Sequence, residues 1–226
     1  MPTSPIAFSG LTEIAPHIYH NAMTLPKSDK SKVYEVYNKI GDWFHKMRSQ
    51  DLKMEQHHLK EFTSHLKKGA KILDLGCGTG KPIAEYLLNE GYAVTGVDGS
   101  EKMLELAQKN IPRAKLIHQD MRKIALNEKF DAIIMWHSSF HLPASDQEKL
   151  IPILKEHLNP NGLLMFTSGI INGEVWSDNG GENLYHASLA TNEYRDLLEK
   201  SNFEVLNYSE EDKKAGGATV WLTRQK

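Results

Sequence analysis

Between Lys71 and Pro82 the chain reads KILDLGCGTGKP, an apolar run that stops abruptly in glycines at alternate positions. A β-strand turning this sharply into a helix needs backbone angles that only glycine adopts freely, and a ligand that touches the main chain needs the missing Cβ. Behind the glycines a helical pattern runs through Asn89. Strand, glycine turn and helix in that order predict a βαβ unit with a ligand crevice at the carboxyl end of the strand.

The same alternation continues along the chain. Tyr92 to Val97 (YAVTGV), Ala114 to His118 (AKLIH), Phe130 to Trp136 (FDAIIMW) and Gly162 to Ser168 (GLLMFTS) read as strands. Helices are expected over Ser100 to Lys109, with Ser100 as N-cap, and over Ala144 to Leu158. FDAIIMW is apolar enough for a strand buried on both faces. After a helix over Thr191 to Ser201 come strands Phe203 to Tyr208 and Ala218 to Arg224. The expected fold class is α/β, a mostly parallel sheet flanked by helices.

Residues 1–30, with Pro2, Pro5, Pro16 and Pro26, read as a leader or arm, and 31–226 as a single domain. Within it 31–68 are helical and 69–226 carry the sheet. In the helical part Val33, Val36, Tyr37, Ile40, Phe44 and Met47 recur at three and four, with Ser31 as N-cap and Gly41-Asp42 as a candidate break. A second helix carries Leu52, Leu59, Phe62 and Leu66. The stretch 169–190 is too long and polar for a plain connection. It reads as an insertion, either a substrate-facing element offering Trp176, Tyr185 and His186 or a surface hairpin.

Composition excludes several classes. Of 226 residues, 40% are hydrophobic and 25% charged, ordinary for a globular protein. Lys plus Arg at 27 against Asp plus Glu at 29 gives a net charge of −2, so the basic excess of a nucleic-acid binder is missing and no such partner is expected. The one cysteine, Cys77, allows no intrachain disulfide and reads as a small packing residue. No apolar run approaches the roughly 20 residues of a membrane span, and the start lacks a basic segment followed by an apolar one. A cytoplasmic location, no membrane partner and no bound metal are the expectations. His57 and His58, adjacent on a helix, read as solvent-exposed.

The chemistry gathers at the strand ends. Asp98 closes the second strand, about 20 residues beyond the glycines, where an acid can accept from both hydroxyls of a ribose. The third strand ends in His118-Gln119-Asp120-Met121, offering a carboxylate and an apolar cover for a base, and the fourth in Trp136-His137-Ser138-Ser139-Phe140-His141. Asp74 sits before the glycine turn as its orienter or as a water-mediated ligand. Met103 reads as helix core or as a second cover for the base.

In order and spacing, ILDLGCGTGKP, GVDGS, HQDM and FDAIIMW resemble the motifs of class I, Rossmann-like S-adenosylmethionine-dependent methyltransferases, most specifically over Ile72 to Trp136. The resemblance implies a seven-stranded sheet with the last strand antiparallel, inserted between the fifth and sixth. It implies S-adenosyl-L-methionine as cofactor and S-adenosyl-L-homocysteine as product. Gly76, Gly78 and Gly80 would shape the methionine end of the pocket, Asp98 hold the ribose and Asp120 the adenine amino group. Gly99 stands where the family often has an apolar residue against adenine, which leaves that contact to Met121 or Met103. The helical segment, with Tyr34, Tyr37 and Trp43, would fold over the cofactor as a lid. The fourth strand lacks the Asn/Asp-Pro-Pro-aromatic signature of enzymes that methylate nucleic-acid bases. The acceptor is therefore expected to be a small molecule, reacting through N or O, with His137, His141 and His186 as candidate bases or substrate contacts. Two other readings stand beside this one. A non-catalytic sensor or partner subunit would keep the same cofactor residues. A nicotinamide-dependent dehydrogenase needs glycine at the sixth position from Gly76, where this chain has Lys81.

Overall fold

The computed structural model describes residues 26–48 and 50–226, so most of the expected leader lies outside the described residues. Seven strands form one sheet: β1 (Lys71–Leu75), β2 (Ala93–Asp98), β3 (Lys115–His118), β4 (Phe130–Met135), β5 (Leu158–Ser168), β8 (Phe203–Asp212) and β9 (Ala218–Gln225). Their order is β3-β2-β1-β4-β5-β9-β8, and β9 runs antiparallel to both of its neighbours, β5 and β8. The chain winds outward from β1 to β3, then returns to β4 on the other side of β1. Strand order therefore reverses between β1 and β4, and the crevice opens at their carboxyl ends.

Side-chain alternation divides β4 between two cores. Ala132 and Ile134 join the cluster under α2 (Gln56–Ser64) and α3 (Ile83–Asn89), with Leu59, Phe62, Leu87 and Ile72. Ile133 and Met135 join the opposite cluster under α5 (Ala144–Glu156) and α6 (Thr191–Lys200), with Leu73, Leu154, Leu198 and Trp221. Truncating one of these side chains to alanine costs about 2–5 kcal/mol, much of a domain's stability.

Several local expectations are corrected. α1 (Val33–Met47) runs unbroken through Gly41 and Asp42. Gly41 instead lets α1 approach α4 (Glu101–Asn110), since a Cβ there would stand 2.5 Å from Lys102 Cγ. Ser31 does not cap α1; its hydroxyl and amide both donate to Asp29 Oδ1, and Lys32 occupies the cap position. Ser100 does cap α4, accepting from the Met103 amide. His58 is buried, not exposed, and its Nε2 lies 2.9 Å from Asp212 Oδ2. Neighbours on a helix point about 100° apart, so one of two adjacent histidines can join the apolar face of Leu59 and Phe62.

The stretch 169–190 forms the antiparallel hairpin β6 (Gly173–Asn179) and β7 (Glu182–Ser188). Gly180 and Gly181, at φ +63 and +85, make its two-residue turn, a geometry that suits the twist of paired strands. The hairpin buries Leu184, Tyr185 and Ala187 against Val33, Val36 and Ile40 of α1. Trp43 lies over Gly180, and Lys30–Glu174 and Lys39–Glu182 ion pairs flank the contact. The exposed ion pairs add little, so apolar burial holds hairpin and α1 together.

Candidate cofactor and acceptor cleft

A cleft opens over the carboxyl ends of β1, β2 and β4. Tyr37, Asp74, Gly76, Gly78, Gly80, Asp98, Gly99, Met103, Asp120, Met121 and Trp136 all line it, as do His137 and His141. His186 is not in its wall. It is buried behind His141, with ring centroids 4.7 Å apart. Tyr185 is likewise buried, and Trp176 donates from its indole to Ser28 O, so these hairpin side chains pack against the helical arm rather than forming the cleft wall.

The turn after β1 is built from three glycines with different tasks. Gly76 has φ +80, and a Cβ would come within 2.3 Å of Ser138 Cβ, whose hydroxyl donates to Leu75 O. At Gly80, φ +76, a Cβ would meet Ile111 Cδ1 at 2.5 Å. Gly78, φ +54, has nothing within 4 Å of its would-be Cβ. Two glycines thus allow packing, and the third leaves open space.

Asp98 is tied into this turn. Its Oδ2 accepts from Gly78 N and its Oδ1 from Ser100 N, each at 2.8 Å. Two carboxylate oxygens offer about four lone-pair sites, so acceptor capacity remains beyond the backbone bonds from Gly78, Ser100 and Gly99. Burial raises the Asp98 carboxyl, with these amide bonds opposing the shift. Burial and then the charge of Asp98 push Asp74 up to about 7. Asp120 has a partner the sequence did not announce. The Arg122 guanidinium brackets its carboxylate, with Nε 3.0 Å from both oxygens. Burial opposes, but the Arg122 bonds prevail and hold Asp120 below its usual range.

α1 lies lengthwise over the cleft. Tyr34 rests on Gly99, where a Cβ would stand 2.9 Å from its own Cβ, which explains the small residue after the acid. Asn38 Oδ1 accepts from the Ser100 hydroxyl at 2.7 Å, fixing α1 to the start of α4. The Tyr37 hydroxyl lies 2.8 Å from His141 Nε2, and His141 Nδ1 lies 2.8 Å from Tyr185 O. A carbonyl only accepts, so Nδ1 carries the proton and Nε2 takes the Tyr37 O–H. Burial lowers His141 to about 4, and burial followed by the charge of Arg48 lowers His137 to about 3. Both rings are neutral at physiological pH. Sequence reading had Ser138 at the fourth strand end and Thr79 within the glycine turn but did not single out Arg48 or Phe44 as lining residues; Phe44 carried a signal only as part of the apolar stripe of α1.

These residues fit S-adenosylmethionine. The cleft joins a carboxylate with spare acceptor capacity, two methionines (Met103 and Met121), open space at Gly78 and a buried Thr79 hydroxyl that meets no partner among the described residues. Among the described residues no cluster could hold a metal ion, and no helix is long and apolar enough to cross a membrane.

Residues 72–162 match the family model described as a methyltransferase domain. Among curated relatives, an uncharacterized methyltransferase of Oceanobacillus iheyensis is 25% identical over 190 residues, 84% of this chain and 73% of that protein. The dTDP-3-amino-3,4,6-trideoxy-alpha-D-glucopyranose N,N-dimethyltransferase of Streptomyces venezuelae is 31% identical over 137 residues. That match spans 59% of this chain and little more than half of the relative, 57%. Among solved structures, the 1,6-didemethyltoxoflavin-N1-methyltransferase of Burkholderia thailandensis, with bound 1,6-didemethyltoxoflavin and S-adenosylhomocysteine, superposes with TM-score 0.65 at 20% identity. It covers all of this chain and 93% of its own. The fold and the cleft agree with this match: residues 72–162 match a methyltransferase domain, and the fold is the Rossmann-like one of the solved S-adenosylmethionine-dependent methyltransferases.

Proposed function

We propose that the protein transfers a methyl group from S-adenosylmethionine to a nitrogen or oxygen of a small molecule, nitrogen being favoured. The observation that carries this reading is Asp98, anchored to the glycine turn by one oxygen and to the α4 cap by the other. Nitrogen is favoured because the amino-sugar and toxoflavin enzymes above are named as N-methyltransferases. In this reading Asp98 holds the ribose, Met103 and Met121 flank the adenine beside Asp120, and the turn from Gly76 to Gly80 receives the methionine end. The segment 31–68 is the lid over the core 69–226, and Tyr37 and Phe44 exclude water from above.

S-adenosylmethionine supplies a methyl group on a cationic sulfur, already primed for in-line displacement. The protein's share is therefore alignment and water exclusion, worth several kcal/mol when the reacting atoms are held about 3 Å apart. The neutral rings of His137 and His141 put no positive charge beside the sulfonium, and His141, through Tyr37, is a candidate to receive a proton from the acceptor. Lack of a basic surplus agrees with a small-molecule partner, and a cytoplasmic location agrees with the single buried thiol.

Calorimetry with S-adenosylhomocysteine, followed by methyl-labelled cofactor with a panel of small amines and hydroxyl compounds, tests the reading. Binding with turnover supports it. Binding without turnover of any acceptor would favour the sensor alternative, and failure to bind would refute both.

A further inference from the structure

The segment 27–32, just ahead of α1, has no regular secondary structure and is largely exposed, yet it is pinned from two sides. On one side the hairpin holds it. Ser28 O accepts from the Trp176 indole at 3.3 Å, the Lys27 ammonium stands 4.1 Å over the same ring, and Lys30 pairs with Glu174 at 3.0 Å. On the other side Ser31 O accepts from Arg122 Nη2 at 2.5 Å. Between the two, Asp29 stiffens the segment by accepting from the Ser31 amide and hydroxyl. Lys30 and Ser31 line the cleft together with Asp120, Met121 and Arg122, so the segment is a strap across the rim beyond the end of β3.

Arg122 does more than hold the strap. Its Nε lies 3.0 Å from each Asp120 oxygen, and its Nη1 lies 3.5 Å from Asp146 Oδ2 on α5. One planar group thus joins the strap, the 3-10 turn Met121–Lys123 and α5. Planarity matters, because the fork cannot turn away from the strap carbonyl without also turning on the Asp120 carboxylate. An exposed strap buries little apolar surface, so polar contacts decide whether it stays down. A ligand that donates to Asp120 and packs against Lys30 and Ser31 gains its full set of contacts only with the strap down. That difference in affinity is what coupling between ligand and strap requires.

We propose that Arg122 is a positioning residue that ties the strap 27–32 to the Asp120 carboxylate, so that the cofactor's base draws the strap closed and the closed strap slows cofactor release. The proposal rests on the methyl-transfer reading of this cleft and adds to it the control of cofactor exchange. Arg122 acts through two other groups, the Asp120 carboxylate and the Ser31 carbonyl.

The test uses the full chain with S-adenosylhomocysteine. Its release is followed by stopped-flow competition, and backbone hydrogen exchange over 27–32 is read by mass spectrometry with and without it. In the wild type the ligand is expected to slow exchange in the strap. Arg122→Met is expected to erase that slowing and to raise the off-rate about ten- to a hundredfold, the range for lost charge-assisted bonds, with the on-rate within about threefold. Arg122→Lys keeps a charge beside Asp120 but not the fork. It should retain more affinity than Arg122→Met yet still lose the protection of the strap, and it serves if Arg122→Met does not fold. Trp176→Phe removes the indole bond to Ser28 O without touching Asp120, and is expected to raise the off-rate about two- to tenfold. Strap protection that survives in both Arg122 variants overturns the proposal. So does an unchanged off-rate in Trp176→Phe, which would leave Arg122 acting on Asp120 alone. Failure of the wild-type protein to bind S-adenosylhomocysteine would instead refute the methyl-transfer reading itself.

Discussion

Alanine at Gly76 and alanine at Gly78 should fail in opposite ways, although the two positions are two residues apart in one turn. Both have positive φ, +80 and +54, so either substitution incurs about 1–2 kcal/mol for a left-handed L-residue. At Gly76 the new methyl also meets Ser138 Cβ at 2.3 Å and Met121 Cε at 3.1 Å. Ser138 is buried and bonded to Leu75 O at 2.7 Å, so it cannot swing aside without losing that bond. Overpacking of this kind adds about 1–3 kcal/mol, for a total near 2–5 kcal/mol. At Gly78 no atom lies within 4 Å of the added methyl, and only the backbone cost applies. For a chain of this length Gly78→Ala should lower Tm by about 2–8 °C, and Gly76→Ala by about twice that or more. Cofactor binding should invert the order of interest: Gly78→Ala, still folded, puts its methyl into the space that would receive the methionine end and should weaken S-adenosylhomocysteine at least tenfold. Thermal unfolding read beside calorimetry checks both. Gly78→Ala binding with wild-type affinity, or unfolding as early as Gly76→Ala, would refute the division of labour within the turn.

Three further outcomes are expected. Asp98→Ala should weaken S-adenosylhomocysteine by about 1–3 kcal/mol in calorimetry, through loss of charge-assisted bonds to the ribose, and unchanged affinity would remove Asp98 from that role. Asp74 has its folded pKa raised to about 7, so its contribution to stability is present at acid pH and lost as pH rises through that value; Asp74→Asn should therefore gain stability over wild type between about pH 4 and pH 7, in urea titrations at each pH, and a constant difference would contradict this. His137 and His141, lowered to about 3 and 4, act with the other sign: the unfolded chain takes up their protons first, so each removes stability as pH falls below about 6.5, by up to about 1.4 kcal/mol per pH unit, and His141→Gln should flatten that acid limb.

The α/β architecture was legible because strand and helix alternate with sharp punctuation, and each cleft residue expected from a strand end lines one cleft. Chemistry fixed by main-chain topology can be read from order and spacing. What packs from elsewhere could not. His58 looked exposed because its partner, Asp212, is 154 residues away. Arg122, directly after the expected adenine residue, was readable as a base but not as a clamp on Asp120, since that depends on a side chain folding back over a 3-10 turn. A hairpin was one of the two readings of 169–190, and its signal was Gly180-Gly181 between two alternating runs, the pattern of a two-residue turn. Its attachment to α1 through Leu184 and Tyr185 is a contact between segments about 150 residues apart, invisible to periodicity. That attachment also sets His186 behind His141 rather than in the cleft.

A crystal structure of the protein with S-adenosylhomocysteine tests the central claim most directly. The ribose hydroxyls are expected on the Asp98 carboxylate, with the base flanked by Met103 and Met121 beside Asp120 and the methionine end at the turn from Gly76 to Gly80. A nucleoside found away from the β2 end, or a ribose with no bond to Asp98, would contradict the account.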